Sequence, residues 1–494
     1  MLLAMSQGGV VKTLAKHLLR FVLYGGAGTV LTLFAGALWL GVRRVPDLKP
    51  WHRAALTEEY TRADSIRVPD WAAWLRLEDR LFAELGREVY AQVGAGDRSR
   101  FNRFTEGSAS DGNAYPDNGN RSYEMPVTTP VCGAVMIHGL SDSPYLLKGL
   151  AARLHDRGCW VVGLRLPGHG TAPSALRAVH WQDWAAAVRL AVRHLRTRIG
   201  EDGKVYLVGF STGAALSVEY ALARLEGERT PRIDGLVLLS PAIGVDALAG
   251  LAVWQKRLSR LPGLGKLAWL DVAPEYDPYK YTSFPVNAGQ QIYDLTRVID
   301  ERMTRLATSG PVTGFPRTLI FQSVADATVS PQAVIRILLS RLAAEGHELV
   351  AFDINRIADA VPLLRPGTAN PAERLLRGPP WSFHATLLTN ESDSSRTVVA
   401  LERAPGDSAI HRRPTGVAWP PGIFALSHVA VPVAPEDPIY GARAPRAGRA
   451  IYLGDLELHG EQGMLAIPPT ALERLRFNPF FTYLWQRTAR FLSQ

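Results

Sequence analysis

The residues best suited to chemistry lie in Gly209-Phe210-Ser211-Thr212-Gly213, where a serine stands between two glycines. An apolar run leads into this stretch and small residues follow it, which predicts a strand running into a helix through a sharp turn. Such a turn strains its central residue and leaves no space for side chains at the flanking positions, where glycine fits. Ser211 is then either a nucleophile held above the carboxyl edge of a sheet or an ordinary residue of a tight connection.

Two further stretches carry groups that would assist a nucleophilic serine. In VMIHGLSDSPY (135–145), an apolar run ends at His138-Gly139 and leaves the backbone N–H of Leu140 free. Together with the N–H of Thr212, it would form an oxyanion hole for the intermediate of an acyl transfer. LRLPGHGTAPS (164–174) adds a glycine-rich turn after the next apolar run.

Together, the three stretches closely resemble the α/β-hydrolase superfamily, in particular its lysophospholipase and monoacylglycerol-lipase-like branch. The wider superfamily also includes proline-iminopeptidase-type peptidases. The resemblance covers roughly 120–355 and 420–494, and it leaves out 356–420. It implies an α/β-hydrolase fold, a Ser-acid-His order along the chain, and a structural rather than proton-transferring role for His138.

The resemblance also implies positions for the acid and the base of a catalytic triad. The acid should follow the strand after a helical insertion, where TLIFQSVADATVS (318–330) contains Asp326; Asp353, at the end of the next strand-like run, is the alternative. The base should be a loop histidine after a strand, and His428 follows the apolar run IFAL. We therefore expect Asp326 to orient His428, which would take the proton of Ser211.

Two other histidines compete for the role of base. His384 lies within a strand-like alternation, and His411 stands beside two arginines. We prefer His428 to both, although the extra residues 356–420 separate it from the acid and depart from the family pattern.

The segments that must position these groups change character at about residue 122. From there, short apolar runs alternate with amphipathic helices, which predicts a mostly parallel sheet with helices on both faces. Residues 244–315 break the alternation, and we interpret them as a helical lid insertion. The second insertion, 356–420, contains two strand-like runs; the tail predicts a hairpin at 450–467 and an amphipathic helix at 480–492.

A membrane anchor is predicted ahead of this body. Phe21–Val42 has 22 residues and no charge, which spans a hydrocarbon core at about 1.5 Å per residue. Ala35-Gly36-Ala37 resembles a signal cleavage site, but the apolar run continues past it, so we expect an uncleaved anchor. The predicted domains are the anchor (1–50), a membrane-proximal helical segment and loop (51–121) and the α/β-hydrolase domain (122–494).

The composition of the chain limits the classes of partner and cofactor that we expect. The formal net charge is +9, yet residues 1–53 account for +6 of it, because they hold seven cations and one acid. The rest of the chain is nearly balanced and shows no basic stripe, so we expect no nucleic-acid binding. Phosphate-binding and metal-ligand motifs are missing as well, so no cofactor and no metal are predicted. Oligomeric state has no signature in the sequence.

The two cysteines, Cys132 and Cys159, each begin a strand-like run. We expect two buried free thiols, with a disulfide as the alternative in an export compartment. The basic residues on the two sides of the apolar segment are too evenly divided to fix its orientation. The signal-like layout of the N-terminus slightly favours an exported body.

These patterns predict a membrane-anchored serine hydrolase that cleaves carboxylic esters through an acyl-enzyme. An anchor would keep the site near a bilayer, which favours lipid-like esters as substrates. Two alternatives stay open. One is a peptidase or amidase of the same fold, and the other is a non-catalytic scaffold tethered to a membrane.

Overall fold

The computed structural model describes residues 45–244, 264–357, 375–444, 451–454 and 474–494, together with Ser259 and scattered positions between 16 and 36. Most of the predicted anchor, 21–42, therefore lies outside the described residues. Within the described part, no helix combines the length and the apolar character that crossing a bilayer requires.

A ten-stranded sheet forms the centre of the described chain. Its strands are β1 (Tyr123–Met125), β2 (Cys132–Ile137), β3 (Cys159–Leu164), β4 (Val205–Phe210), β5 (Gly235–Leu239), β8 (Arg317–Ser323), β9 (Glu348–Phe352), β10 (His384–Asn390), β11 (Thr397–Arg403) and β12 (His411–Ala418); β6 (Trp269–Asp271) and β7 (Phe284–Pro285) pair separately. The spatial order is β1-β3-β2-β4-β5-β8-β9-β10-β11-β12. Neighbours from β3 to β10 are parallel, which confirms the mostly parallel α/β fold.

Helices cover the sheet because its strands are apolar on both faces. All residues of β2, β4 and β5 are buried, as expected for parallel strands between helical layers. The helices of the described residues include α1 (Pro50–Arg53), α2 (Trp71–Glu88), α3 (Lys148–Asp156), α4 (Trp181–Ile199), α5 (Thr212–Leu225), α6 (Val286–Leu306) and α7 (Phe481–Ser493). The predicted C-terminal helix is thus observed as α7.

The described part of the predicted lid, 244–315, differs from the expectation. Its main helix, α6, packs beside α5 and buries Leu295, Ile299 and Met303 in the core that supports the sheet. The small pair β6–β7 precedes it, so the segment also contains strands where none were expected. A cover over the site stays a prediction for 245–258 and 260–263, which lie outside the described residues.

The second insertion, 356–420, extends the sheet rather than forming a separate unit. β10 adds in parallel to β9, with His384 opposite Glu348, and β11 and β12 then follow in antiparallel pairing. Arg487 of α7 forms ion pairs with both Glu348 of β9 and Glu402 of β11. The insertion is therefore joined to the predicted hydrolase core through both backbone and side chains. The predicted hairpin at 450–467 lies mostly outside the described residues.

The membrane-proximal segment, 51–121, shares a core with the sheet. Trp74 of α2 is fully buried in the cluster that contains β2 and β4. Glu78 pairs with Arg165 at 2.9 Å, and Glu59 reaches the same guanidinium at 3.2 Å. A buried arginine needs such partners, because an unpaired charge costs several kcal/mol inside a protein. These contacts fix the segment onto the turn that follows β3.

The expectation of free thiols is wrong. Cys132 and Cys159 are directly opposite each other at the start of the parallel strands β2 and β3, and they form a disulfide with a Cα–Cα distance of 4.5 Å. The sequence placed both residues on strands but held no information on the register that brings the two sulfur atoms together.

Candidate active site

Ser211 occupies the turn between β4 and α5. Its backbone has φ 51° and ψ −111°, a left-handed conformation that costs energy for a residue with a side chain. Hydrogen bonds hold the turn from both sides: Ser211 N donates to Leu239 O at 2.9 Å, and Ala242 N donates to Ser211 O at 3.2 Å. The strained serine is thus fixed by the neighbouring strand β5 and the chain that follows it.

The two glycines beside Ser211 are required by close backbone contacts. A Cβ on Gly209 would lie 2.5 Å from Ala214 N, and a Cβ on Gly213 would lie 2.0 Å from Ile137 O. Backbone atoms of a packed strand and helix cannot move aside cheaply. The turn therefore brings α5 against the end of β2, as the G-x-S-x-G spacing predicts.

Asp326 and His428 meet at the same edge of the sheet. Asp326 follows β8, and its Oδ2 accepts a hydrogen bond from His428 Nδ1 at 2.7 Å. Gln322 Nε2 donates to the same oxygen at 3.0 Å, while Thr328 N and Val329 N donate to Oδ1 at 2.9 Å and 3.1 Å. The acid is therefore held in one orientation by four donors.

The hydrogen bond between Asp326 and His428 determines which nitrogen of the imidazole donates a proton. Burial raises the pKa of Asp326, but the hydrogen bond and charge of His428 and the backbone donors outweigh it, so the net pKa lies below its usual 3.8. An ionised carboxylate can only accept, so Nδ1 of His428 must carry the proton. That leaves Nε2 as a proton acceptor, the tautomer a general base needs.

The imidazole lies beside the serine turn. The ring centroids of His428 and Phe210, the residue before Ser211, are 4.9 Å apart. Ser211 and His428 are both 8% exposed. Among the described residues, no hydrogen bond joins the Ser211 hydroxyl to the ring; in many enzymes this contact tightens only when substrate binds.

Leu140 and Thr212 lie where the sequence placed them. Leu140 follows β2 in the oxyanion loop, which we define as residues 139–143, and Thr212 is the first residue of α5. In the part of the chain that the structure describes, neither backbone N–H has an acceptor. Free N–H groups at a helix start and a strand end are suited to binding an anion.

The competing residues either bind other groups or lie on other strands. Asp353 accepts from the Arg356 guanidinium in its own loop and from Thr389 Oγ1 of β10 at 2.8 Å, so its carboxylate is bound away from His428. His384 begins β10 and His411 begins β12, where the latter is exposed. Both ring nitrogens of His138 bond to backbone groups, at Gly139 O and Leu166 N, which fits a structural role.

Sequence reasoning missed Gln322 and the segment around Lys280. Gln322 stands four residues before Asp326 on β8, so a polar residue inside an apolar strand was the available signal. Lys280 forms an ion pair with Asp142 of the oxyanion loop. No feature of the sequence indicated that contact, because the two residues are 138 positions apart.

Comparisons with known proteins agree with this fold. Residues 130–354 match the family described as serine aminopeptidase, S33. This chain is 28% identical to a thermostable monoacylglycerol lipase of Bacillus sp. (strain H-257) over 117 residues, which are 24% of its length. It is 32% identical to the phospholipase YtpA of Bacillus subtilis (strain 168), also over 117 residues and 24% of its length. These matches span 43% and 42% of the two relatives, so the chain covers less than half of the length of each.

Similar solved structures cover 47% of this chain. One is described with the metagenome-derived lipolytic enzymes LipS and LipT (24% identity, 87% of that chain, TM-score 0.37). Another is the monoacylglycerol lipase of Paleococcus ferrophilus (21% identity, 88% of that chain, TM-score 0.35). The family and curated matches confirm the resemblance to α/β-hydrolases of the lysophospholipase and monoacylglycerol-lipase-like type.

Proposed function

We propose that this α/β-hydrolase cleaves carboxylic esters, with lipid-like esters as its substrates, through an acyl-enzyme on Ser211. The observation that carries the proposal is the 2.7 Å hydrogen bond between His428 and Asp326 beside the strained serine turn. The imidazole of this pair lies against the ring of Phe210, the residue before Ser211, with centroids 4.9 Å apart. The curated relatives, a monoacylglycerol lipase and a phospholipase, support an ester as the target bond.

In the proposed reaction, His428 Nε2 takes the hydroxyl proton while Ser211 Oγ attacks the ester carbonyl carbon. The N–H groups of Leu140 and Thr212 stabilise the oxyanion, a contribution of about 3 kcal/mol for each donor in comparable enzymes. The imidazolium returns its proton to the departing alcohol. Water then attacks the acyl-enzyme with the same base, which releases the carboxylic acid and restores Ser211.

The membrane anchor over 1–50 is part of the proposal and rests on the uncharged run of 22 residues in the sequence. An exported position for the body is proposed with it, since the Cys132–Cys159 bond suits an oxidising compartment better than a reducing one. Expression in whole cells tests both. Protease added outside should digest the body, and carbonate washing should leave it in the membrane fraction.

The decisive experiment is covalent labelling with a fluorophosphonate probe, together with hydrolysis of a soluble activated ester such as p-nitrophenyl butyrate. Wild-type protein should label and hydrolyse, and Ser211→Ala should lose labelling and at least about 10⁴-fold in kcat. A folded wild-type protein that neither labels nor hydrolyses the ester would favour the alternative of a non-catalytic scaffold.

A peptidase is the second candidate, and the description of the matching family as a serine aminopeptidase favours it. The same serine, base and oxyanion donors would act on an amide. Matched long-chain ester and aminoacyl-amide substrates separate the two. A kcat/KM at least about 100-fold higher for the amide, equal to about 2.7 kcal/mol of transition-state stabilisation, would replace the ester proposal.

A further inference from the structure

The oxyanion loop, 139–143, is held by a segment that the sequence assigned to the lid. We call this segment, residues 273–284, the strap. Tyr281 N of the strap donates to Ser141 O at 2.8 Å, and Lys280 Nζ pairs with Asp142 Oδ1. The strap thus contacts the backbone and the side chain of two consecutive loop residues.

The strap is itself anchored on the membrane-proximal segment, 51–121. Each of the following hydrogen bonds joins the two: Arg103 N to Glu275 O at 2.9 Å, Ser110 Oγ to Tyr276 O at 2.7 Å, and Asn120 Nδ2 to Pro278 O at 3.0 Å. The ring of Tyr279 also stacks on that of Tyr145 with centroids 4.0 Å apart. Because it has these supports, the strap can resist displacement of the loop.

The loop requires such support. Ser141 has φ 65°, a strained conformation for a residue with a side chain, and the surroundings must enforce it. The Asp142 side chain is only 2% exposed, and its carboxylate packs against Gly139, where a Cβ would lie 2.5 Å from Oδ2. Burial raises the pKa of Asp142, while Lys280 opposes the shift. Without Lys280, the buried carboxylate would lose its ion pair and would move or take up a proton.

Little free volume surrounds the pair. The cavity beside Asp142 and Lys280 measures about 20 Å³, and Val429, the neighbour of the proposed base, also lines it. A space of this size holds about one water molecule. Displacement of Asp142 would therefore be transmitted to Gly139 and Leu140 rather than absorbed by an empty space.

We propose that Lys280 is a positioning residue for the oxyanion hole. Its ion pair with Asp142 holds the loop so that Leu140 N–H points at the oxygen that becomes negative during acylation. The inference rests on the proposed function and adds a residue to that same site. The oxyanion exists only in the transition state and the intermediate, so losing Lys280 should lower kcat and leave KM nearly unchanged.

Lys280→Met tests the inference, because it keeps the aliphatic stem and removes the charge. Lys266→Met is the matched control, since the two lysine side chains are equally exposed at 24% but Lys266 pairs with Asp47, which is 89% exposed. With p-nitrophenyl butyrate, Lys280→Met should lose about 10-fold in kcat with KM within about 2-fold, because one oxyanion donor is displaced rather than removed. Lys266→Met should leave both constants within about 2-fold of wild type, and Lys280→Arg should recover most of the lost kcat.

A double-mutant cycle shows whether Lys280 acts through Asp142. If it does, Lys280→Met should cost less than about 3-fold in kcat when Asp142→Asn is already present. An equal loss in both backgrounds overturns the inference, as does an unchanged kcat in folded Lys280→Met. If Lys280→Met does not fold, Asp142→Asn carries the test: a reduced kcat at constant KM supports the role, and an unchanged kcat overturns it.

Failure of this inference is distinct from failure of the proposed function. Wild-type turnover that disappears in Ser211→Ala establishes the function independently of Lys280. If wild type is active and the Lys280 variants behave like the Lys266 control, only the positioning role falls. If the folded wild type is inactive, both fall together.

Discussion

The serine turn and the acid–base pair are two halves of one candidate site, and the chain builds them in opposite ways. Five consecutive residues and the close approach of α5 to β2 fix the conformation of Ser211. His428 and Asp326 meet only because β8 and the chain after β12 end near the same edge of the sheet. The sequence pattern of the turn is thus local, although β2 and β5 hold its conformation, whereas the pair joins residues from distant parts of the chain.

The largest expected effect comes from disrupting the Asp326–His428 pair. His428→Ala should lower kcat for p-nitrophenyl butyrate by at least about 10⁴-fold, because it removes the imidazole that Asp326 holds beside the serine turn. His384→Ala is the control, because His384 begins β10, away from the Asp326 carboxylate that binds His428. It should stay within about 3-fold of wild type. The reverse outcome, an inactive His384→Ala and an active His428→Ala, would show that His428 is not the base.

The second largest effect comes from disrupting the serine turn. Gly213→Ala places a Cβ 2.0 Å from Ile137 O, and it should cost about 3 kcal/mol of unfolding free energy, at the upper end for overpacking. Urea denaturation measures the loss. Gly227→Ala is a comparison with no atom near its Cβ, although its positive φ adds strain. An alanine at 213 that is no more harmful than one at 227 would show that the close contact with Ile137 does not require glycine at the turn.

A smaller effect is expected from the hydrogen bond that Gln322 donates to Asp326. Gln322→Met removes one of two donors to Asp326 Oδ2 while keeping the volume of the side chain. Hydrogen bonds to charged groups contribute about 1.5–3 kcal/mol, so we expect a loss of about 10-fold in kcat from a less ordered carboxylate. Gln332→Met on the exposed side of the following turn should change nothing measurable. Equal kinetics in the two variants would show that His428 and the backbone donors suffice.

The smallest effect concerns stability and pH. The pKa of Asp326 is lowered in the folded protein, so its ionised form adds stability above the usual pKa of 3.8 and loses it as the pH falls through the folded pKa. Asp326→Asn should therefore be less stable than wild type by about 1 kcal/mol at pH 7. Chemical denaturation between pH 7 and pH 3 should show the difference shrinking at the acid end; a constant difference would contradict the assignment.

The contrast between the serine turn and the Asp326–His428 pair also explains which features could be predicted from the sequence. The serine turn, the parallel sheet and α7 depend on spacing and periodicity within short segments, and Gly209 and Gly213 were the evidence for the turn. Asp326 and His428 required the resemblance to a family, because no local pattern relates positions 102 residues apart. The disulfide depends on the strand register of Cys132 and Cys159, and the Lys280–Asp142 contact depends on tertiary packing. Neither can be read from local composition.

The position of His428 after β12 has a consequence for the timing of activity during synthesis. A ribosome completes the strands β2 to β5 and the serine turn long before it adds β10, β11 and β12. A nascent chain that ends anywhere in between carries the proposed nucleophile without its proposed base, so the proposed ester cleavage would not yet occur. The proposed reaction would begin only after synthesis has passed His428 and the sheet has closed around it.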